Sequence, residues 1–153
     1  VKEETKRRKT MNREQYLEYV EYFNSKRFDK VAEYFTPDIT VEYPDNFFGQ
    51  DMTPQTLHGP KEFIANYQGI TENTKEVLEV GSFLSEGNEV FVELYTEFIT
   101  FKDSPPGAAR QAKKGDIRIM TNWVLYDLDE KGKMKRIRIA HFRNHDPKTA
   151  RYK

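Results

Sequence analysis

The chain of 153 residues contains no cysteine. That excludes a disulfide framework, a thiolate nucleophile and any cysteine-ligated zinc or iron–sulfur centre. It also lacks an excess of either charge: 25 basic residues balance 25 acidic ones, so no net field draws it to nucleic acid or to an anionic membrane. No apolar run reaches membrane-spanning length, and the opening VKEETKRRKT lacks the apolar stretch of a secretory signal. The expectation is a soluble, cytoplasmic protein. A phosphate-cradling glycine loop and a nucleophile-elbow serine are missing too, which argues against nucleotide and acyl-enzyme chemistry. What the chain does have is aromatics, 14% of its residues. They suffice to pack one interior, and the length suits one domain rather than two.

Residues 1–11 are almost all charged or polar and read as a flexible basic tail, with Lys6, Arg7, Arg8 and Lys9 taken as solvated. Asn12 and Gln15 resemble a capping box, and Tyr16, Leu17, Val20 and Phe23 then recur at helical spacing, which predicts a helix over 13–25. A second short helix over 28–35 should stop before the Thr36-Pro37-Asp38 breaker. Residues 39–43 alternate as a strand that Pro44 ends at an edge or bulge. A polar loop follows through residue 57. Gly59-Pro60 starts a third helix with Phe63, Ile64 and Tyr67 on its apolar face, ending near Gly69. From there the chain reads as strands over 76–84, 89–101, 117–127 and 134–143, joined by turns at Gly87-Asn88 and Asp129-Gly132 and by a proline-containing loop over 103–115. Helices first and antiparallel strands second predict an α+β domain over 12–146, with the helices on one face of a curved sheet and 147–153 as a C-terminal tail.

Two of these strands carry a polar residue where alternation calls for an apolar one: Asn122 and His141. A polar group that leaves water without a partner costs one to several kcal/mol, on the order of the hydrogen bond it loses. Such placement therefore points to a polar pocket.

The order α-α-β-α-β-β-β-β, with DITVEYPD after the helical hairpin, resembles the cone-shaped superfamily of nuclear transport factor two, ketosteroid isomerase, scytalone dehydratase and the SnoaL-like polyketide cyclases. The resemblance covers residues 12–146 by element order and a few short segments. It implies a conical pocket between the concave sheet face and the helices, and a homodimer through the other sheet face. Tyr19, with Asn24, Phe28 and Asp29, looks like the helix in which ketosteroid isomerase carries its oxyanion-donating tyrosine. The isomerase's general-base aspartate precedes the proline of its first strand, and here Tyr43-Pro44 stands in that place. A tyrosine is what scytalone dehydratase has there, assisting a substrate carbonyl through water. Asn122 lines up with a hydrogen-bonding position in both relatives. The dehydratase's catalytic histidine pair has no match over 76–101.

Each candidate admits two readings. Tyr19 is a donor to a substrate oxygen or an aromatic at the core boundary. Tyr43 is a donor, or with a lowered pKa an acid–base group, or else a strand aromatic beside Pro44. Asn122 fixes a carbonyl or hydroxyl, or bonds loop backbone as a buried amide. His141 is a proton acceptor at the floor of an apolar pocket, with Ile137 and Ile139 on its strand face, or a structural histidine. Leu94, Met120, Val124 and Phe63 are expected to contact the substrate. Asp45, Asp51 and His58 lie in or beside the polar loop, over the cone mouth or simply solvated. His141 and His145, four apart on one strand face, stand about two pleats apart, too far to share a metal ion; no metal and no cofactor are expected. Tyr95 and Trp123 fall on the opposite face and should form a dimer interface or a covered outer surface. The function these features imply is a cofactor-independent isomerase, cyclase or dehydratase acting by proton transfer on a small apolar carbonyl or enol compound of polyketide or terpenoid type. The alternative is a non-catalytic small-molecule-binding or dimerisation module.

Overall fold

In the computed structural model, which describes residues 10–45, 54–108 and 110–153, the capping box at Asn12 forms. The Asn12 side chain accepts from the Gln15 N–H, and the Gln15 side chain accepts from the Asn12 N–H, each at 2.9 Å. Two otherwise unpaired donors at the helix start are thereby satisfied. Helix α1 (Arg13–Asn24) buries Tyr16, Tyr19, Val20 and Phe23. This is an i, i+3, i+4, i+7 arc, and it leaves Leu17, expected in the stripe, pointing out at 42% exposure. Thr10 and Met11 are described, and Met11 is buried in the core. The Lys6–Lys9 run and Asp51 lie outside the described residues.

Helix α2 (Phe28–Ala32) is shorter than its pattern suggests because strand β1 (Phe35–Tyr43) begins at Phe35. Tertiary pairing decides this: the Met134 N–H donates to the Tyr34 carbonyl at 2.7 Å, and Phe35 pairs with Met134. Pro37 sits where the register breaks between Phe35 and Thr40, a place that asks no ladder donor of it. Strand β2 (Gln55–His58), read from sequence as loop, pairs antiparallel with β1, Tyr43 opposite Gln55. Only Leu57 of its four residues is buried, so no alternation announces it. Helix α3 (Gly59–Thr71) follows directly, with Gly59 at φ +79° supplying the sharp change of direction.

Strands β3 (Thr74–Glu86), β4 (Glu89–Thr100), β5 (Ile117–Leu128) and β6 (Met134–His145) form an antiparallel meander. The curved, unclosed sheet has the order β2-β1-β6-β5-β4-β3, and its β1–β6 pair is parallel, so the sheet is mixed. The helices cover its concave face. There Ile39, Val41, Val90 and Val92 are fully buried, each contributing roughly 1.5–3 kcal/mol by leaving water.

One irregularity positions the site. On β6 the register shifts between Asn122↔His141 and Thr121↔Arg143, which leaves Phe142 as an extra residue. Such a bulge reverses the inward–outward parity beyond it. His141 therefore faces inward and His145 outward, where His145 Nε2 meets Thr121 Oγ1 at 2.7 Å. The two histidines do not share a face, contrary to the plain alternation.

Residues 147–153 fold back over the outer side of the sheet. A 3-10 turn (Pro147–Thr149) leads to Arg151 and Tyr152, whose N–H groups donate to the fully buried Glu97 carboxylate at 2.9–3.1 Å. The Tyr95 hydroxyl adds a third donor at 3.0 Å. Deleting residues 150–153 is therefore expected to destabilise the protein by about 1–3 kcal/mol, since a buried charged acceptor loses two donors. The same deletion in a Glu97→Leu background should cost less. Urea unfolding of the four proteins checks this, and purely additive losses would contradict it.

Candidate functional site

Between the concave face and helices α1 and α3 lies a cavity of about 730 Å³, within the range of small-molecule sites. Its walls are mainly apolar, with Phe23, Phe63, Leu94, Phe98, Met120, Val124, Ile137 and Ile139 among them. All four residues expected to contact a substrate, Phe63, Leu94, Met120 and Val124, line it. So do Tyr19, Tyr43, Asn122 and His141. Sequence parity could place Asn122 and His141 only on faces of separate strands. In the sheet, Leu94, Asn122 and His141 form one rung across β4, β5 and β6.

The titrating groups are not in their ordinary states. Burial and the nearby Arg118 guanidinium hold the His141 imidazole below its usual value, with Asp45 opposing them. It is thus neutral at pH 7 and able to accept a proton. Asp45 lines the cavity and acts on that imidazole, whereas His58 is exposed and is not among the lining residues. The Tyr43 hydroxyl meets that of Tyr67 at 2.5 Å. Burial raises both phenols well above the ordinary value. Tyr43 is accordingly a hydrogen-bond donor at neutral pH, and a lowered pKa is not what its surroundings produce. Tyr19 packs edge-on against Tyr34, Phe35 and Tyr126, and its hydroxyl makes no hydrogen bond to a described residue. Deeper in, Tyr16 and Tyr126 join hydroxyls at 2.6 Å.

Three cavity residues escaped the sequence reading. Glu76 of β3 is 9% exposed, and its Oε2 has no hydrogen-bond partner among the described residues. Burial pushes its carboxyl up to about 8, with Arg110 pulling the other way. Tyr67 passed as one more apolar-face residue of a helix. Arg110 lies in the loop before β5, its guanidinium 5.5 Å from the centre of the Phe98 ring. A signal for Glu76 existed, a carboxylate sharing parity with Leu78 and Val80. It was masked because the other face of the strand carries Glu79 beside Val77, so neither face looked apolar.

On the outer face Trp123 stacks on Phe142 at 4.0 Å and 14° between planes. These rings are 39% and 49% exposed. Tyr95, by contrast, is partly covered by the chain's own C-terminal segment, with the Arg151 guanidinium 4.5 Å from its ring centre. Among the described residues no group of three His, Asp or Glu side chains could hold a metal ion, and no helix is long and apolar enough to cross a membrane.

A family model described as a SnoaL-like domain matches residues 16–137. No curated protein matches the chain by sequence. Among solved structures, a SnoaL-like polyketide cyclase from Agrobacterium tumefaciens is 12% identical with a TM-score of 0.59, over 84% of this chain and 88% of that one. SalBIII, an epoxide hydrolase/cyclase-like enzyme in pyran ring formation in the polyether salinomycin, is 19% identical with a TM-score of 0.62, over 82% and 86%. An epoxide hydrolase of Mycobacterium tuberculosis is 11% identical with a TM-score of 0.58, over 81% and 77%. At these identities the likeness is one of fold.

Proposed function

Because this chain belongs to the SnoaL-like domain family, we propose that it is a cofactor-independent enzyme moving protons on a small, largely apolar carbonyl or enol compound of polyketide or terpenoid type, in an isomerisation, cyclisation or dehydration. The observation that carries this reading is convergence: a neutral imidazole, an amide and a phenol pair enter one apolar cavity of about 730 Å³. His141 accepts the proton from carbon, and its depressed basicity keeps it free of a proton at neutral pH. Asn122, its neighbour on the rung, and the donors Tyr43 and Tyr19 hold the substrate oxygen as negative charge develops there. Against largely apolar walls those hydrogen bonds are stronger than in water. Ring closure is also the reaction type named for two of the structural neighbours. The same reading takes the protein as a homodimer through the outer face around Trp123, since exposed stacked rings suit a covered surface.

Incubation with a metabolite extract of the source organism, followed by comparison of product masses with and without the protein, tests the proposal. New masses are expected with the parent and not with the His141→Ala, Tyr43→Phe double variant. Ligand retention with no new mass would identify a binding module and overturn the enzymatic reading.

A further inference from the structure

The cavity contains a second polar cluster that the proton-transfer reading does not use. Glu76 and Phe98 are register partners on β3 and β4, and Phe98 pairs with Arg118 on β5. The rung bearing Asn122 and His141 crosses β4 at Leu94. Four residues of strand separate the two rungs on β4, on the order of 13 Å at the rise of an extended chain. Glu76 is nine-tenths buried, lines the cavity, and its Oε2 has no hydrogen-bond partner among the described residues. Buried polar atoms of native proteins are almost always satisfied, and the carboxyl that carries this unpaired oxygen lies in the cavity wall, where a ligand can meet it.

We propose that Glu76 forms a second ligand subsite, a neutral carboxylic acid donating to an oxygen remote from the one held at Asn122 and His141, so that the cavity selects elongated compounds with two oxygen functions. The inference rests on the reading of the cavity as a small-molecule site. Burial is what favours the neutral acid at Glu76. Tyr67 from α3 and Tyr43 from β1 are themselves neutral phenols and put no charge beside it. Arg110, from the loop before β5, is the cation that opposes protonation, and burial outweighs it. Lys102 and Asp103, at the start of that loop, also line the cavity and carry opposite charges. A volume of about 730 Å³ has room for a ligand that reaches both clusters.

Dodecane-2,11-dione and dodecan-2-one, matched in length and differing by one carbonyl, test the subsite by calorimetric titration. At pH 6.5 the parent is expected to bind the dione at least tenfold more tightly than the monoketone. That advantage should shrink once the pH passes 8, where the carboxylate can no longer donate. Glu76→Leu should erase the advantage. Glu76→Gln, which still donates and is close in shape, should keep it and lose its pH dependence; this variant carries the test if Glu76→Leu does not fold. Equal affinities in the parent, or an advantage that survives in Glu76→Leu, overturn the proposal. The outcomes separate from those of the reaction: discrimination without product formation keeps the subsite and removes the enzyme, and product formation without discrimination does the reverse.

Discussion

Glu76→Gln is expected to be more stable than the parent at pH 9 by several kcal/mol, and nearly equal to it at pH 4.5. In the unfolded chain the carboxyl titrates at its ordinary value of 4.5, and in the folded protein burial moves it to about 8. Between those values the folded state holds a proton that the unfolded state has released, so stability falls as pH rises through the window. Below the lower value the group is protonated in both states and its ionisation costs nothing; above the upper one the full penalty of burying the charge applies. A displacement of about 3.5 units corresponds to at most about 5 kcal/mol. Glutamine has nearly the same shape and no charge to desolvate, so the variant escapes the penalty at every pH. Urea unfolding of both proteins from pH 4.5 to 9 measures the difference, and parallel stability curves would contradict it. A residue that lowers stability in this way is what a functional group looks like when it is kept for its chemistry.

His141→Ala should reduce turnover by about 10²–10⁴-fold, the usual contribution of a positioned proton-transfer group, with the fold intact. The side chain is half-buried at the cavity wall, and the ladder that holds its backbone between Asn122 and the Phe142 bulge makes no use of the ring. Removing it therefore takes away a proton acceptor and leaves that backbone ladder in place. In the parent, the rate should fall with acidity only below the ordinary histidine value, because burial and Arg118 disfavour the imidazolium. Tyr43→Phe is expected to cost less and to leave that acid limb where it is. Circular dichroism and initial rates across the pH range, measured for each protein on the product found in the extract, check both statements. An unchanged rate in folded His141→Ala would remove the residue from the mechanism.

Much of the architecture was legible because periodicity is a local signal. The capping box, the antiparallel meander and the proline start of α3 are each written within a few residues. What escaped depends on partners distant in sequence. Strand β2 exists because β1 offers it an edge, and α2 is cut short because Tyr34 and Phe35 are claimed by Met134. The parallel β1–β6 pair joins the first strand to the last and has no local trace. The same distinction divides the site. Asn122 and His141 were visible as polar interruptions of apolar faces. Their sharing of a rung was not, and neither was the bulge at Phe142 that sends His145 to the opposite face. Glu76 needed the fold to show which face of its strand turns inward, and Arg110 needed the fold to bring its loop to the cavity.

A cavity that moves a proton to and from carbon exchanges that proton with solvent, so it catalyses deuterium uptake in heavy water. A panel of small apolar ketones and diketones, incubated in heavy water at pH 7 with the parent and with His141→Ala, would be read by mass for exchange beside the carbonyl. At least one compound is expected to gain deuterium with the parent at a rate that His141→Ala lowers by about 10²-fold or more. Uptake that is equal in the two proteins, or no uptake across the panel with the parent, would contradict it.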